Sequence, residues 1–133
     1  MNHSLACRVW YEDTDMAGIV YYANYLKFIE RARSDWVCAL GIDQRRLKTE
    51  RGIVFAVRRV EADYLAPAFL GDTLEVSCEP VSATPARALL RQEVRRGEDR
   101  LFAAFVTIVA LGDAGRPVRL PAEIRLACEP GGE

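Results

Sequence analysis

Histidine is almost missing from this chain of 133 residues; His3 is the only one. Without a well-placed imidazole, Ser-His-Asp and Cys-His nucleophilic chemistry have no support. Lysine is nearly as scarce, with Lys27 and Lys48 alone among 18 basic residues. The remaining arginines suit phosphate recognition, although GC-rich coding produces the same bias. Cys7, Cys38, Cys78 and Cys128 lie far apart and form no CxxC. Together with a lone histidine they argue against a zinc site, so no metal is expected. No apolar run is long enough to span a bilayer, and no basic, apolar leader is evident. The expectation is a cytoplasmic protein with reduced thiols and no stable membrane insertion. A formal net charge of -1 gives no electrostatic case for nucleic acid. Repeats, low-complexity tracts and linkers are absent too, which leaves a single domain over 1–133.

What is present reads as an ordinary globular chain, with 50% apolar and 28% charged residues, enough to bury a real core. Residues 24–40 predict a helix, because Tyr25, Phe28, Ile29, Ala32, Trp36, Ala39 and Leu40 recur at three- and four-residue steps. Asn24 stands where an N-cap is expected and Gly41 where a left-handed C-cap is expected. Glu30 and Arg33 are spaced for a weak surface pair. Strands are predicted over 5–12, 53–64, 73–83, 86–96 and 100–111, punctuated by Pro67, Gly71-Asp72, Pro85, Gly97 and Gly112. The last of these is apolar at nearly every position, which predicts a strand covered on both faces. The sum is an α+β domain with one helix laid on an antiparallel sheet. Such a sheet must bury its remaining side or edge, which argues for self-association.

Strand 86–96 sets Arg87, Leu89, Arg91, Glu93 and Arg95 on one face and Ala88, Leu90, Gln92 and Val94 on the other. Gln92 is therefore a polar residue on the apolar side and needs a partner, either a cross-strand hydrogen bond or a ligand. The arginine row is either a solvated face or a site for phosphates, with Arg87 and Arg91 as the candidates.

The densest chemistry lies in Tyr11–Arg33. A carboxylate pair, Asp13 and Asp15, precedes a glycine turn at Gly18, an aromatic pair at Tyr21-Tyr22, and the start of the helix. That order supplies an anionic base or nucleophile beside the free amides of a helix N-terminus.

The run Tyr11-Glu12-Asp13-Thr14-Asp15-Met16-Ala17-Gly18-Ile19-Val20-Tyr21, then Asn24-Tyr25 and Glu30-Arg31-Ala32-Arg33, closely resembles the acyl-CoA thioesterases of the hotdog fold. It looks most like the branch containing 4-hydroxybenzoyl-CoA thioesterase and the Tol–Pal-associated thioesterases called YbgC. Tyr64-Leu65-Ala66-Pro67-Ala68, Gly71-Asp72 and Pro117-Val118-Arg119-Leu120-Pro121 are similar to later family segments, so the resemblance covers nearly the whole chain. It implies a helix wrapped by a five- to six-stranded antiparallel sheet, and a homo-oligomer, either a dimer or a tetramer formed as a dimer of dimers. The implied active sites lie at the dimer interface.

The implied reaction is hydrolysis of an acyl-CoA, fatty or aromatic, to free acid and coenzyme A, with the coenzyme as part of the substrate and no separate cofactor. Asp15 matches the catalytic carboxylate, acting as nucleophile or general base, and the amide of Tyr22 matches the oxyanion donor. Many YbgC-type members carry histidine at the position of Tyr22, whereas 4-hydroxybenzoyl-CoA thioesterase carries tyrosine. Tyr11 is placed to orient the carboxylate or acyl group, or else is a buried strand tyrosine. Gly18, Val20, Asn24 and Glu30 are the implied substrate-side residues, and Glu30 is the alternative catalytic carboxylate because some relatives use a helix glutamate. The hotdog dehydratases depend on a histidine and are disfavoured. The alternatives are a non-catalytic acyl-CoA-binding or regulatory module on the same fold, and a structural partner in an envelope complex.

Overall fold

The three- and four-residue apolar steps become a helix over Asn24–Ala39 (α1), roughly 24 Å long, which buries Tyr25, Phe28, Ile29, Ala32, Trp36 and Val37. Each large side chain on that face contributes about 1.5–3 kcal/mol on burial. Val37 takes the place on the buried face that was expected of Ala39, which is exposed. Gly41 follows the helix with φ +91 and its N–H on the carbonyl of Cys38, the expected stop. The N-terminus differs from expectation. Ala23 holds the cap position with no side-chain bond, and Asn24 turns its amide Nδ2 back to the carbonyl of Asp13 at 2.9 Å.

The computed structural model describes residues 3–129. Its strands are His3–Arg8 (β1), Val54–Tyr64 (β2), Thr73–Ala83 (β3), Ala88–Arg96 (β4), Asp99–Leu111 (β5) and the short Pro117–Val118 (β6). All pairings are antiparallel, in the order β1-β3-β4-β5-β2, with β6 on the end of β5. The first strand stops at Arg8 instead of running to residue 12. Val9 exchanges backbone hydrogen bonds with the Gly71-Asp72 turn, and Trp10 gives its N–H to the Asp13 carboxylate, which curls Tyr11–Asp13 into a 3-10 turn. Two short helices were not expected, Gln44–Arg51 (α2) and Ala122–Ala127 (α3). α2 buries only Leu47, so it shows no apolar stripe; its capping by Asp43 and the left-handed Gly52 were the available signals.

α1 packs over β1, β3 and β4. The core lies between them, with Leu74, Val76, Cys78, Leu90, Val94, Phe102 and Val106 pointing toward the helix. β5 is covered on this side only: Ala103, Phe105, Thr107 and Val109 on the other side are partly or fully exposed, not buried as the apolar run suggested. β2 is an edge strand that α1 leaves largely uncovered, and Val57, Val60 and Tyr64 on its helix side are 45%, 38% and 48% exposed. No helix among the described residues is long and apolar enough to cross a membrane.

Candidate active site

The site grows from one loop and the two turns that brace it. Asp13 is buried and serves as the hub: its carboxylate accepts the Trp10 N–H at 2.8 Å, and its carbonyl accepts the Tyr21 N–H and the Asn24 amide, each at 2.9 Å. The chain then pairs with itself across the loop, Thr14 opposite Val20, and the Asp15 N–H reaches the Ile19 carbonyl at 2.9 Å. Gly18 closes the turn at φ +80, a conformation that glycine adopts without strain. Inside it, Asp15 Oδ1 accepts the Ala17 N–H at 2.9 Å, an Asx turn that fixes the carboxylate while leaving it exposed. Its Oδ2 has no hydrogen-bond partner among the described residues.

The second brace is the 64–72 segment. Ile19 bridges Phe69, and the Val20 N–H donates to the Ala68 carbonyl at 2.9 Å. Asp72 holds this segment through the Phe69 N–H at 2.8 Å and Arg96 at 2.7 Å. Burial pulls the Asp72 carboxyl up, but these two partners outweigh it and hold it below the usual range. Tyr64 then donates its hydroxyl to the Tyr22 carbonyl at 3.0 Å, and burial raises its pKa, so it remains a donor. The rings of Tyr22 and Tyr25 both lie edge-on to Tyr64, and Tyr25 stacks on Phe102 with centroids 5.1 Å apart. The Tyr22 N–H, just before α1, has no acceptor among the described residues. An exposed carboxylate and an unpartnered amide at a helix start thus share one loop, beside an aromatic wall.

Among the expected site residues, Asp15, Gly18, Val20, Tyr22 and Asn24 belong to this loop and the turn into α1. Val20 is buried beneath the loop, and Asn24 ties the helix to Asp13. Tyr11 stands in the preceding 3-10 turn, 82% exposed and not buried, and its hydroxyl makes no hydrogen bond among the described residues. Glu30 lies eight residues along α1 from Tyr22, roughly 12 Å. It lines a separate cavity with Arg33, Val37, Phe55 and Val57. The expected Glu30–Arg33 pair does not form. Ser34 donates to Glu30, and Arg33 turns inward to Gln92 Oε1 at 2.9 Å. Gln92, fully buried, finds its partners in the protein: its Nε2 donates to the Ile29 and Ser77 carbonyls. Arg87 and Arg91 lie on the face of the sheet away from α1, and Arg91 is paired with Glu93 at 2.9 Å. Sequence reasoning missed Tyr64 and Phe102 as the aromatic wall. Their signal was the register that sets them opposite each other at the end of β2.

The model of the thioesterase superfamily matches residues 17–103. An acyl-CoA thioesterase YbgC of Haemophilus influenzae is 37% identical over 126 residues, covering 93% of this chain and 92% of the relative. The acyl-CoA thioester hydrolase YbgC of Escherichia coli O6:H1 is 36% identical over 119 residues, 88% of each chain. A probable thioesterase from Bartonella henselae superposes with a TM-score of 0.87 at 32% identity, over 91% of this chain and 100% of that one. 4-Hydroxybenzoyl-CoA thioesterase from Pseudomonas sp. strain CBS-3 superposes with a TM-score of 0.85 at 24% identity, over 92% and 96%, a likeness of fold.

Proposed function

The chain belongs to the thioesterase superfamily, and from that membership we propose that it hydrolyses acyl-CoA thioesters with Asp15 as the reacting carboxylate and the Tyr22 amide as the oxyanion donor. The observation that carries the reading is the loop itself. Asp15 is pinned through Oδ1 with Oδ2 free, and the amide of Tyr22 is left unpaired at the positive end of α1.

Hydrolysis requires attack on the thioester carbonyl, stabilisation of the resulting oxyanion and departure of the thiolate. Asp15 either attacks the carbonyl carbon, forming a mixed anhydride as the C–S bond breaks, or removes a proton from an attacking water. In the first route water then cleaves the anhydride, and in both the products are the free acid and coenzyme A. The thiolate leaves readily, so no strong general acid is needed. The Tyr22 N–H accounts for about 3 kcal/mol of oxyanion stabilisation if it behaves as a typical single donor. Tyr64 holds the following peptide unit, Tyr22–Ala23, through the Tyr22 carbonyl. Tyr11, Gly18, Val20 and Asn24 shape the acyl side of the loop. Glu30 lines the neighbouring cavity, and Arg87 and Arg91 are the candidates for the coenzyme phosphates. The uncovered helix side of β2 lies next to this wall, and a second copy of the chain is proposed to cover it, as a dimer or a dimer of dimers.

A panel of short-chain, long-chain and aromatic acyl-CoAs, followed by release of the free thiol, tests the reading. Turnover of at least one class is expected. Binding of the esters with no hydrolysis of any would instead identify an acyl-CoA-binding module.

A further inference from the structure

β5 turns Ala103, Phe105, Thr107 and Val109 away from α1, and none of these outward positions carries a charge. An antiparallel sheet with one face in water sets polar residues on that face, so this stripe has the composition of a covered one. Yet Phe105 at its centre is 44% exposed, and its three neighbours on the stripe are only partly buried. Charge borders the stripe unequally. The register flanks Phe105 with Arg91 on β4 and Glu61 on β2, and it flanks Ala103 with Glu93 and Asp63. Glu93 is shared by Arg91, Arg95 and Arg100 at 2.9, 3.0 and 3.1 Å, and three guanidinium groups against one carboxylate leave the β4 side positive. On the β2 side Glu61 pairs with Arg59, while Asp63 meets no cation among the described residues, which leaves that side negative. An apolar centre with one positive and one negative flank is complementary to itself.

We propose that this outer face of the sheet is a contact between two copies of the chain, packed sheet on sheet about a two-fold axis that runs along β5. That axis sets Phe105 against its own equivalent and lays β4 over β2 of the second copy. The arginine cluster around Glu93 then meets Glu61 and Asp63, and the apolar stripe is closed off from water with a charged rim around it. β3 carries Glu75 and Glu79 beside Arg95 and Arg91, but β2 is the edge of the sheet, so these two acids fall outside the overlap. The contact is distinct from the second copy proposed for the helix side of β2, and the two together close a dimer of dimers. It rests on the composition and register of this face and not on thioester hydrolysis. It also commits Arg91 to assembly, which leaves Arg87 as the candidate for the coenzyme.

Sedimentation equilibrium of the full chain tests it, with wild type beside Phe105→Asp, Asp63→Lys and Val60→Glu. All three positions are exposed, and circular dichroism checks that each variant folds. Wild type is expected as a tetramer and Phe105→Asp as particles of half that mass. Asp63→Lys sets like charges together and is expected to weaken the same step by about tenfold or more, most clearly at low salt. A wild-type dimer that Phe105→Asp dissociates and Val60→Glu does not would support this face and remove the second copy from β2. A monomeric wild type, or a folded Phe105→Asp of wild-type mass, would overturn the proposal. Should Phe105→Asp not fold, Asp63→Lys decides in its place, and association as tight as wild type would overturn the proposal.

Discussion

Asp13 and Asp15 show how two identical side chains two residues apart take different work. Asp13 is buried and accepts the Trp10 N–H, whereas Asp15 is exposed with one oxygen free. Replacing Asp13 by alanine strands a backbone donor in a part-buried site. Asp13→Ala should therefore lose about 2 kcal/mol in urea unfolding, and because the loop shifts with it, activity should fall too. The pair itself was legible in the sequence; the division of labour was suggested by motif position and not by composition. Gln92 was legible as a buried polar residue in need of a partner. Which partner it takes depends on Arg33 turning inward, and helical spacing offered Glu30 as the simpler alternative.

At the scale of elements, β4 presents Glu93 to three arginines. Burial raises the Glu93 carboxyl, but hydrogen bonds from Arg100 and Arg95 and the charges of Arg91 and Arg95 outweigh it, so its pKa lies below the ordinary range. A depressed carboxyl stabilises the fold above its unfolded value, and that stability is lost as pH falls through the folded value. Unfolding measured from neutral pH into acid should show stability declining below the ordinary carboxylate range, and Glu93→Gln should flatten that decline. The strands over 73–83 and near 54–64 and 99–111 were readable because their alternation and turn residues agree. The boundary at Arg8 was not, since it is set by Asp72 and Asp13, residues distant in the chain or beyond the strand. α2 escaped detection for a related reason: a helix with one buried residue leaves no periodic trace.

Across the whole molecule, α1 covers half the sheet and leaves Val57, Val60 and Tyr64 of the edge strand open. Unpaired strand edges with apolar flanks are otherwise a liability to aggregation. Sedimentation should find the wild type as a dimer or larger, and Val60→Glu should shift it toward monomer. A monomeric wild type would remove the second copy from the proposed site. The fold as a whole was readable because the sequence resemblance, the order of elements and the apolar periodicities all agree. The proposed chemistry rests on one carboxylate. The most direct measurement is therefore kcat of Asp15→Asn against wild type on a hydrolysed acyl-CoA, with folding checked by circular dichroism. The account predicts a loss of at least about a hundredfold, or about 2.7 kcal/mol of transition-state stabilisation, in a folded protein. Near-wild-type turnover would contradict it and move the reacting carboxylate elsewhere, with Glu30 as the next to examine.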